Sequence, residues 1–202
     1  MRGVPLKYAA DFRPWARRST VPYGTARWLV GRTAAILALQ NAGVLVDTRG
    51  LGCGSFGCAY PVEGRPGLIV KITGDSSEAA ATNAVIAAAG RGAKFPALVR
   101  FHCVYAVKET KVFAILQERL RPLPRADRAW INTHGDDVVE AAAARGRSAA
   151  EWAKRIGGSL RREDVEGLIV TLRALWDQAG VRFADLHGGN VLVDPRSGSW
   201  KI

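Results

Sequence analysis

Cysteine is scarce, with three in 202 residues. That excludes a scaffold built on disulfides and fits a reducing compartment. Long apolar runs are missing too. No stretch approaches the roughly 18 uncharged residues that a membrane span needs. Arg2 and Lys7 are followed by Asp11, Arg13, Arg17 and Arg18 rather than by an apolar core, which argues against a secretory signal. The expectation is a soluble, cytoplasmic chain with no membrane span. Blocks of five or six like charges are absent, as are internal repeats, zinc-finger or helix-turn-helix spacings and an aromatic RNA-binding signature. Cys53, Cys58 and Cys103 do not have the spacing of zinc ligands and read as thiols without a metal.

What is present is an ordinary globular composition with an unusual charge. Apolar residues make up 48%, enough for a packed core. Lys and Arg number 29 against 18 Asp and Glu, a net charge of +11. Such a field attracts polyanions without selecting among nucleic acid, phosphorylated ligands and anionic membranes. The plain alternative is a basic, solvated surface.

Periodicity and punctuation divide the chain. Residues 1–25, with Pro5, Pro14 and Pro22, read as an irregular basic arm, and 25–41 as a helix stopped by Gly43. Val44, Leu45 and Val46 begin a strand. A glycine-rich hairpin spans Leu51–Tyr60, and the strand Gly67–Thr73 follows it. Residues 76–90 read as an Ala-rich helix, and 98–107 and 110–118 as two strands around the polar turn Lys108–Lys111. After Pro122 and Pro124 the pattern turns helical, at about 136–145, 148–156 and 162–178, with Gly180 ending the last. Residues 191–193 and 199–202 suggest a terminal hairpin.

Three segments carry chemistry. In Leu51-Gly52-Cys53-Gly54-Ser55-Phe56-Gly57-Cys58-Ala59-Tyr60, glycines at i, i+2 and i+5 sit between two strands. Such glycines let backbone N–H groups approach phosphate oxygens. A dinucleotide fold would need a helix after Gly57, whereas Pro61 and Val62 continue a strand or turn; a purely structural hairpin is the other reading. Lys71, in Ile69-Val70-Lys71-Ile72, puts an ammonium into an apolar strand nineteen residues after Gly52. It is costly to bury without an anionic partner, and the alternative is that it faces water. Asp185 and Asn190 stand five residues apart in Asp185-Leu186-His187-Gly188-Gly189-Asn190, ahead of a short strand. A loop of this kind can aim a carboxylate at a hydroxyl proton and an amide oxygen at magnesium; an Asx turn is the structural alternative.

In this order the three segments resemble the protein-kinase-like superfamily over roughly residues 44–202. The resemblance implies an α+β fold with a strand-rich nucleotide lobe over 44–120 and an incomplete helical lobe over 121–202, preceded by the arm and helix of 1–43. It implies ATP and Mg²⁺ as cofactors and transfer of the γ-phosphoryl group to a hydroxyl on a protein or a small molecule. Gly52, Gly54, Ser55 and Gly57 would cover the phosphates, and Lys71 would hold the α- and β-phosphates. Asp185 would be the catalytic base and Asn190 a magnesium ligand. Gln117-Glu118-Arg119-Leu120 would form the hinge, with backbone groups of Glu118 and Leu120 meeting adenine. Glu78 is the candidate partner of Lys71, although Asp75 and Glu78 also have the spacing of a helix capping box. On the same reading, oxidation at Cys53 would block ATP.

The sequence departs from the family pattern at three points. Phe183-Ala184 replaces the His-Arg that precedes the catalytic Asp, which removes the partner of a phosphorylated activation loop. His187 stands where most Ser/Thr protein kinases carry lysine, so the loop is more similar to those of aminoglycoside and choline phosphotransferases. The sequence reaches Trp200-Lys201-Ile202 without the later Asp that chelates magnesium, and Asp194 is a poor substitute. The expectation is therefore either a piece of a longer product or a short chain with altered metal binding. Two alternative functions stay open: a non-catalytic pseudokinase acting as a binding module, and a nucleic-acid-binding protein that uses its basic arm.

Overall fold

The computed structural model describes residues 20–107, 110–144 and 146–202. Most of the expected basic arm, and Lys108 and Glu109 of the expected turn, lie outside the described residues. The chain is mixed α and β and divides into two compact units. One holds the described residues up to Ile86 together with Arg100–Arg119; the other holds Ala87–Val99 and Leu120–Ile202.

The first unit is built on a five-stranded antiparallel sheet. Its strands are β1 (Gly52–Gly54), β2 (Gly57–Val62), β3 (Arg65–Thr73), β4 (Phe101–Val107) and β5 (Val112–Glu118), in the order β1-β2-β3-β5-β4. The expected strand at Val44–Val46 shrinks to a single bridge between Val46 and Val62. Pro61 lies on the facing stretch of β2, which bulges there, and proline has no N–H to give a longer ladder.

Strand alternation sorts the side chains onto two faces. Val70 and Ile72 of β3, Cys58 and Tyr60 of β2, and Val112 and Ala114 of β5 pack with Trp28, Ala35, Ile36 and Leu39 of α1 (Ala26–Asn41). Thr25 caps α1, its hydroxyl oxygen accepting the Trp28 N–H at 3.2 Å. On the opposite face, Phe113, Ile115 and Val104 pack with Ala79 of α2 (Ser76–Gly90). The sheet is thus covered on both sides, which explains why β5 reads as a nearly continuous apolar run.

The second unit is mainly helical, with α3 (Arg125–Ala143), α4 (Ala149–Gly157) and α5 (Arg162–Ala179). α3 begins eleven residues before the expected start at 136. Its early turns are polar, and Gly135 occupies a core-facing position, so the 3.6-residue pattern is weak there. α4 opens with a capping box in which the Ser148 hydroxyl accepts the Glu151 N–H at 3.2 Å and Glu151 Oε2 accepts the Ser148 N–H at 2.8 Å. Gly180, with φ +67°, ends α5. Arg173 binds α5 to the end of α3, donating to the carbonyls of Ala141 at 2.9 Å and Ala144 at 2.8 Å. Three short strands, β6 (Arg121–Pro122), β7 (Leu192–Val193) and β8 (Trp200–Lys201), form a second antiparallel sheet in which β7 is central.

Among the described residues, no helix is long and apolar enough to cross a membrane.

Gly31 lets α1 lie close against the sheet, because a Cβ there would overlap Val112 Cγ2. Gly31→Ala is expected to lower unfolding free energy by about 1–3 kcal/mol. Urea denaturation measures it, and adding Val112→Ala is expected to return part of the loss by vacating the space.

Candidate functional site

The glycine hairpin uses its three glycines in two ways. Gly57 faces Thr73 across the β2–β3 ladder, and a Cβ on it would overlap the Ile72 carbonyl oxygen. That glycine is required by the sheet itself. Around Gly52 and Gly54 no atom lies within 4 Å of where a Cβ would stand. Both positions are exposed, so their backbone is open to an approaching ligand. Ser55 sits at the exposed tip, where its carbonyl accepts the Tyr23 N–H at 3.0 Å, and the neighbouring Phe56 carbonyl accepts the Gly74 N–H at 2.7 Å.

The expected thiols of the hairpin are instead a disulfide: Cys53 and Cys58 face each other across β1 and β2, with Cα atoms 4.0 Å apart, and are bonded. Directly opposed cross-strand residues bring their side chains together, which makes the bridge possible. It also removes the cysteine argument for a reducing compartment. Cys58 points toward α1 with Tyr60 and Val62, whereas Ala59 shares the face of Lys71, its partner in register. The oxidised pair therefore lies on the face away from Lys71, and the expected obstruction of ATP by oxidation at Cys53 loses its geometric basis. Cys103 is a free thiol, and burial pushes its pKa up.

Lys71 lies in a row with Ala59 of β2 and Ile115 of β5. Its ammonium forms an ion pair with Glu78 of α2, and both side chains are about one-third exposed (38% and 30%). Asp75 does cap α2, its carboxylate accepting the Ser77 N–H at 2.8 Å. The Asp75 N–H, however, goes to Thr73 Oγ1 at 3.1 Å, and Glu78 turns to Lys71. The reciprocal half of a capping box is replaced by the ion pair.

At the end of β5, Glu118 is engaged with its own unit. Its N–H donates to the Arg100 carbonyl at 2.9 Å, and its Oε1 accepts the Arg100 N–H at 2.8 Å. The Glu118 N–H is therefore not free for a nucleotide. The division between the two units falls between Arg119 and Leu120, inside the expected hinge segment.

In the second unit the loop Asp185–Asn190 is held from both ends by buried Leu186 and Val191. The Asn190 amide nitrogen donates to the Asp185 carbonyl at 2.9 Å and to Asp185 Oδ2 at 3.1 Å. This fixes the amide orientation through its nitrogen. The Gly189 N–H donates to His187 Nδ1 at 3.0 Å, so the neutral ring carries its proton on Nε2, which lies 3.7 Å from Asp185 Oδ2. The Asp185 side chain is 80% exposed. His187 thus stands beside the carboxylate, beyond hydrogen-bond distance. Asp194 is occupied elsewhere: its Oδ1 accepts the Arg196 N–H at 2.9 Å in the β7–β8 turn, and that bond holds its carboxyl below the usual carboxylate range.

Two residues that hold this loop carry no signal in the sequence. Asn132 of α3 accepts the Gly188 N–H on its Oδ1 at 2.7 Å. Gly135, one turn on, lets the Leu186 carbonyl lie against the helix backbone, where a Cβ would overlap it. Both fall in the polar stretch before 136, where no helix was expected.

Among the described residues, no three of His, Cys, Asp and Glu gather as metal ligands. Asp185 and Asn190 offer two oxygens, a set that suits magnesium, which takes few protein ligands and completes its shell with phosphates and water.

Compared with known proteins, the chain matches no family model and no curated sequence.

Gly135→Ala is expected to push the Leu186 carbonyl off α3 and to displace the Gly188–Asn132 bond. In ¹H–¹⁵N spectra the amide signals of 185–191 should move or broaden while those of β3 and β5 stay in place. An unchanged loop would show that α3 does not position it.

Proposed function

We propose that the chain is a kinase-like phosphotransferase that moves the γ-phosphoryl group of ATP to a hydroxyl acceptor. The observation that carries this reading is the Lys71–Glu78 ion pair, formed at the expense of a local capping box. An ammonium held on an apolar strand by a helix carboxylate is oriented for phosphate oxygens rather than left to sample solvent. The open backbone at Gly52 and Gly54 supports the same reading, because it leaves space that the protein does not fill.

On this reading, backbone N–H groups around Gly52 and Gly54 and the Lys71 ammonium receive the phosphates. The acceptor hydroxyl oxygen attacks the γ-phosphorus, the bond from that phosphorus to the bridging oxygen breaks, and ADP leaves. The hydroxyl proton passes to Asp185, which the Asn190 amide holds in orientation. The Asn190 amide oxygen would hold magnesium, which offsets the negative charge of the phosphates when bound.

Lys71→Ala is expected to weaken ATP binding about tenfold or more, the loss of one charge-assisted contact. Isothermal titration calorimetry with Mg·ATP measures this, and equal affinity in variant and parent would exclude the role of Lys71. Asp185→Asn is expected to leave nucleotide binding largely intact and to reduce phosphotransfer by about 10²-fold or more. A γ-labelled ATP assay reads this out, and unchanged turnover would remove Asp185 from the chemistry. ATP binding with no transfer by the parent chain would instead make the protein a nucleotide-binding module.

A further inference from the structure

The Cys53–Cys58 bridge closes the hairpin that carries Gly52 and Gly54. β1 holds three residues, all exposed, and lies at the edge of the sheet with β2 as its one neighbour. Two of the three are glycine, so Cys53 supplies the one side chain by which β1 can grip the sheet. Cross-strand side-chain pairs ordinarily stabilise such a ladder, and here a covalent bond takes their place. The turn beyond is held separately: the Ser55 carbonyl accepts the Tyr23 N–H at 3.0 Å, and the Phe56 carbonyl accepts the Gly74 N–H at 2.7 Å. Opening the bridge would therefore free the β1 limb of the hairpin and leave its tip and β2 in place.

The two bridged residues differ in setting. Cys58 is 2% exposed and belongs with Tyr60 and Val62 to the core under α1, whereas Cys53 is exposed. Cys53, and not Cys58, also lines an open pocket of about 490 Å³ beside Arg49. A reductant thus approaches the bridge from the Cys53 side. Cys103 takes no part. It lies on β4, at the opposite edge of the sheet, with β2, β3 and β5 between it and β1. The attacking thiol and the thiol that resolves the exchange must both come from outside the chain, as a dithiol provides.

We propose that the Cys53–Cys58 bond is a redox switch on the glycine hairpin, opened by a dithiol reductant that releases β1. One thiolate of the dithiol attacks the Cys53 sulfur, and the S–S bond breaks. Its electron pair leaves with the Cys58 sulfur, which takes a proton from water. The second thiolate of the reductant then attacks the mixed disulfide, frees Cys53 as a thiolate and departs as a cyclic disulfide. Two electrons pass from the dithiol to the bridge. Glycine has the widest backbone freedom, so a released β1 samples many conformations. In the bridged chain the N–H groups of Gly52 and Gly54 are held in one arrangement before a phosphate arrives, and binding orders less of the chain. The bridged chain is therefore the form that binds ATP more tightly. That consequence rests on the phosphotransferase reading, whereas the release of β1 does not.

The test compares the full chain before and after treatment with dithiothreitol, with the state of the bond read by iodoacetamide labelling and mass. Reduction of the folded chain is expected to open Cys53 to the label. In ¹⁵N relaxation measurements the order parameters of Gly52, Cys53 and Gly54 should fall from about 0.85 to about 0.6 or below, while those of β3 and β5 stay at about 0.85. Calorimetry is expected to show Mg·ATP binding the bridged chain about threefold or more tightly than the reduced one. Cys53→Ser should match the reduced chain with or without dithiothreitol, which separates the bond from other effects of the reagent. A bond that does not form in air, or that resists dithiothreitol in the folded chain, overturns the proposal. So do order parameters of β1 that are equal in the two states, or equal ATP affinity in both. Loosening of β1 on reduction with no ATP binding in either state would instead sink the phosphotransferase reading and leave the switch standing.

Discussion

The Lys71–Glu78 ion pair is the constraint around which the first unit is arranged. Lys71 lies on the central strand β3, and its neighbours in register, Ala59 and Ile115, are apolar. An ammonium in that row needs an anion, and Glu78 on α2 supplies it. The pair is about one-third exposed, so its contribution to stability is small. Its effect is positional: it fixes where a cation stands relative to the sheet and which side of α2 faces β3. Asp75 then caps the helix alone, and Thr73, fully buried, takes the Asp75 N–H that Glu78 leaves free.

Much of this was legible from residue order, and the parts that were not have identifiable physical causes. β3, β5 and α5 announce themselves because an apolar run or helical spacing continues unbroken through them. The turn after α5 is equally plain, since Gly180 adopts a positive φ that other residues resist. The early turns of α3 were hidden because they are chosen for contact with a loop rather than for an apolar stripe. Asn132 is polar, and Gly135 has no side chain at all. The motif glycines were visible, but their division of labour was not: only the β2–β3 register shows that Gly57 answers to the sheet while Gly52 and Gly54 do not. The Cys53–Cys58 bridge follows from register as well. Six residues of sequence leave it undecided whether the two sulfurs meet or point apart, and a one-residue slip would have separated them.

The two faces of the sheet carry different chemistry. One presents the paired lysine beside a helix, with open backbone at the first two glycines. The other carries the disulfide and the Arg32–Tyr60 contact. The alternation of β2 keeps them apart, since Ala59 looks one way and Cys58 and Tyr60 the other. A substitution in this hairpin therefore acts on one face or the other according to its place in the alternation of its own strand, and the parity reverses between β1 and β2, where Cys53 and Cys58 share a face.

The helix α1 has a further consequence for motion in the chain. Laid across the side of the sheet opposite α2, it shuts water away from β3 and β5 from above as α2 does from below; Val70, Ile72, Val112 and Ile115 are all fully shielded. Deuterium should enter the backbone amides of these two central strands last, and only through concerted opening of the layers on both sides. β1, with one neighbour and no cover over its glycines, belongs to the fastest-labelling class, so the slowest and quickest clocks of the unit sit within a single sheet.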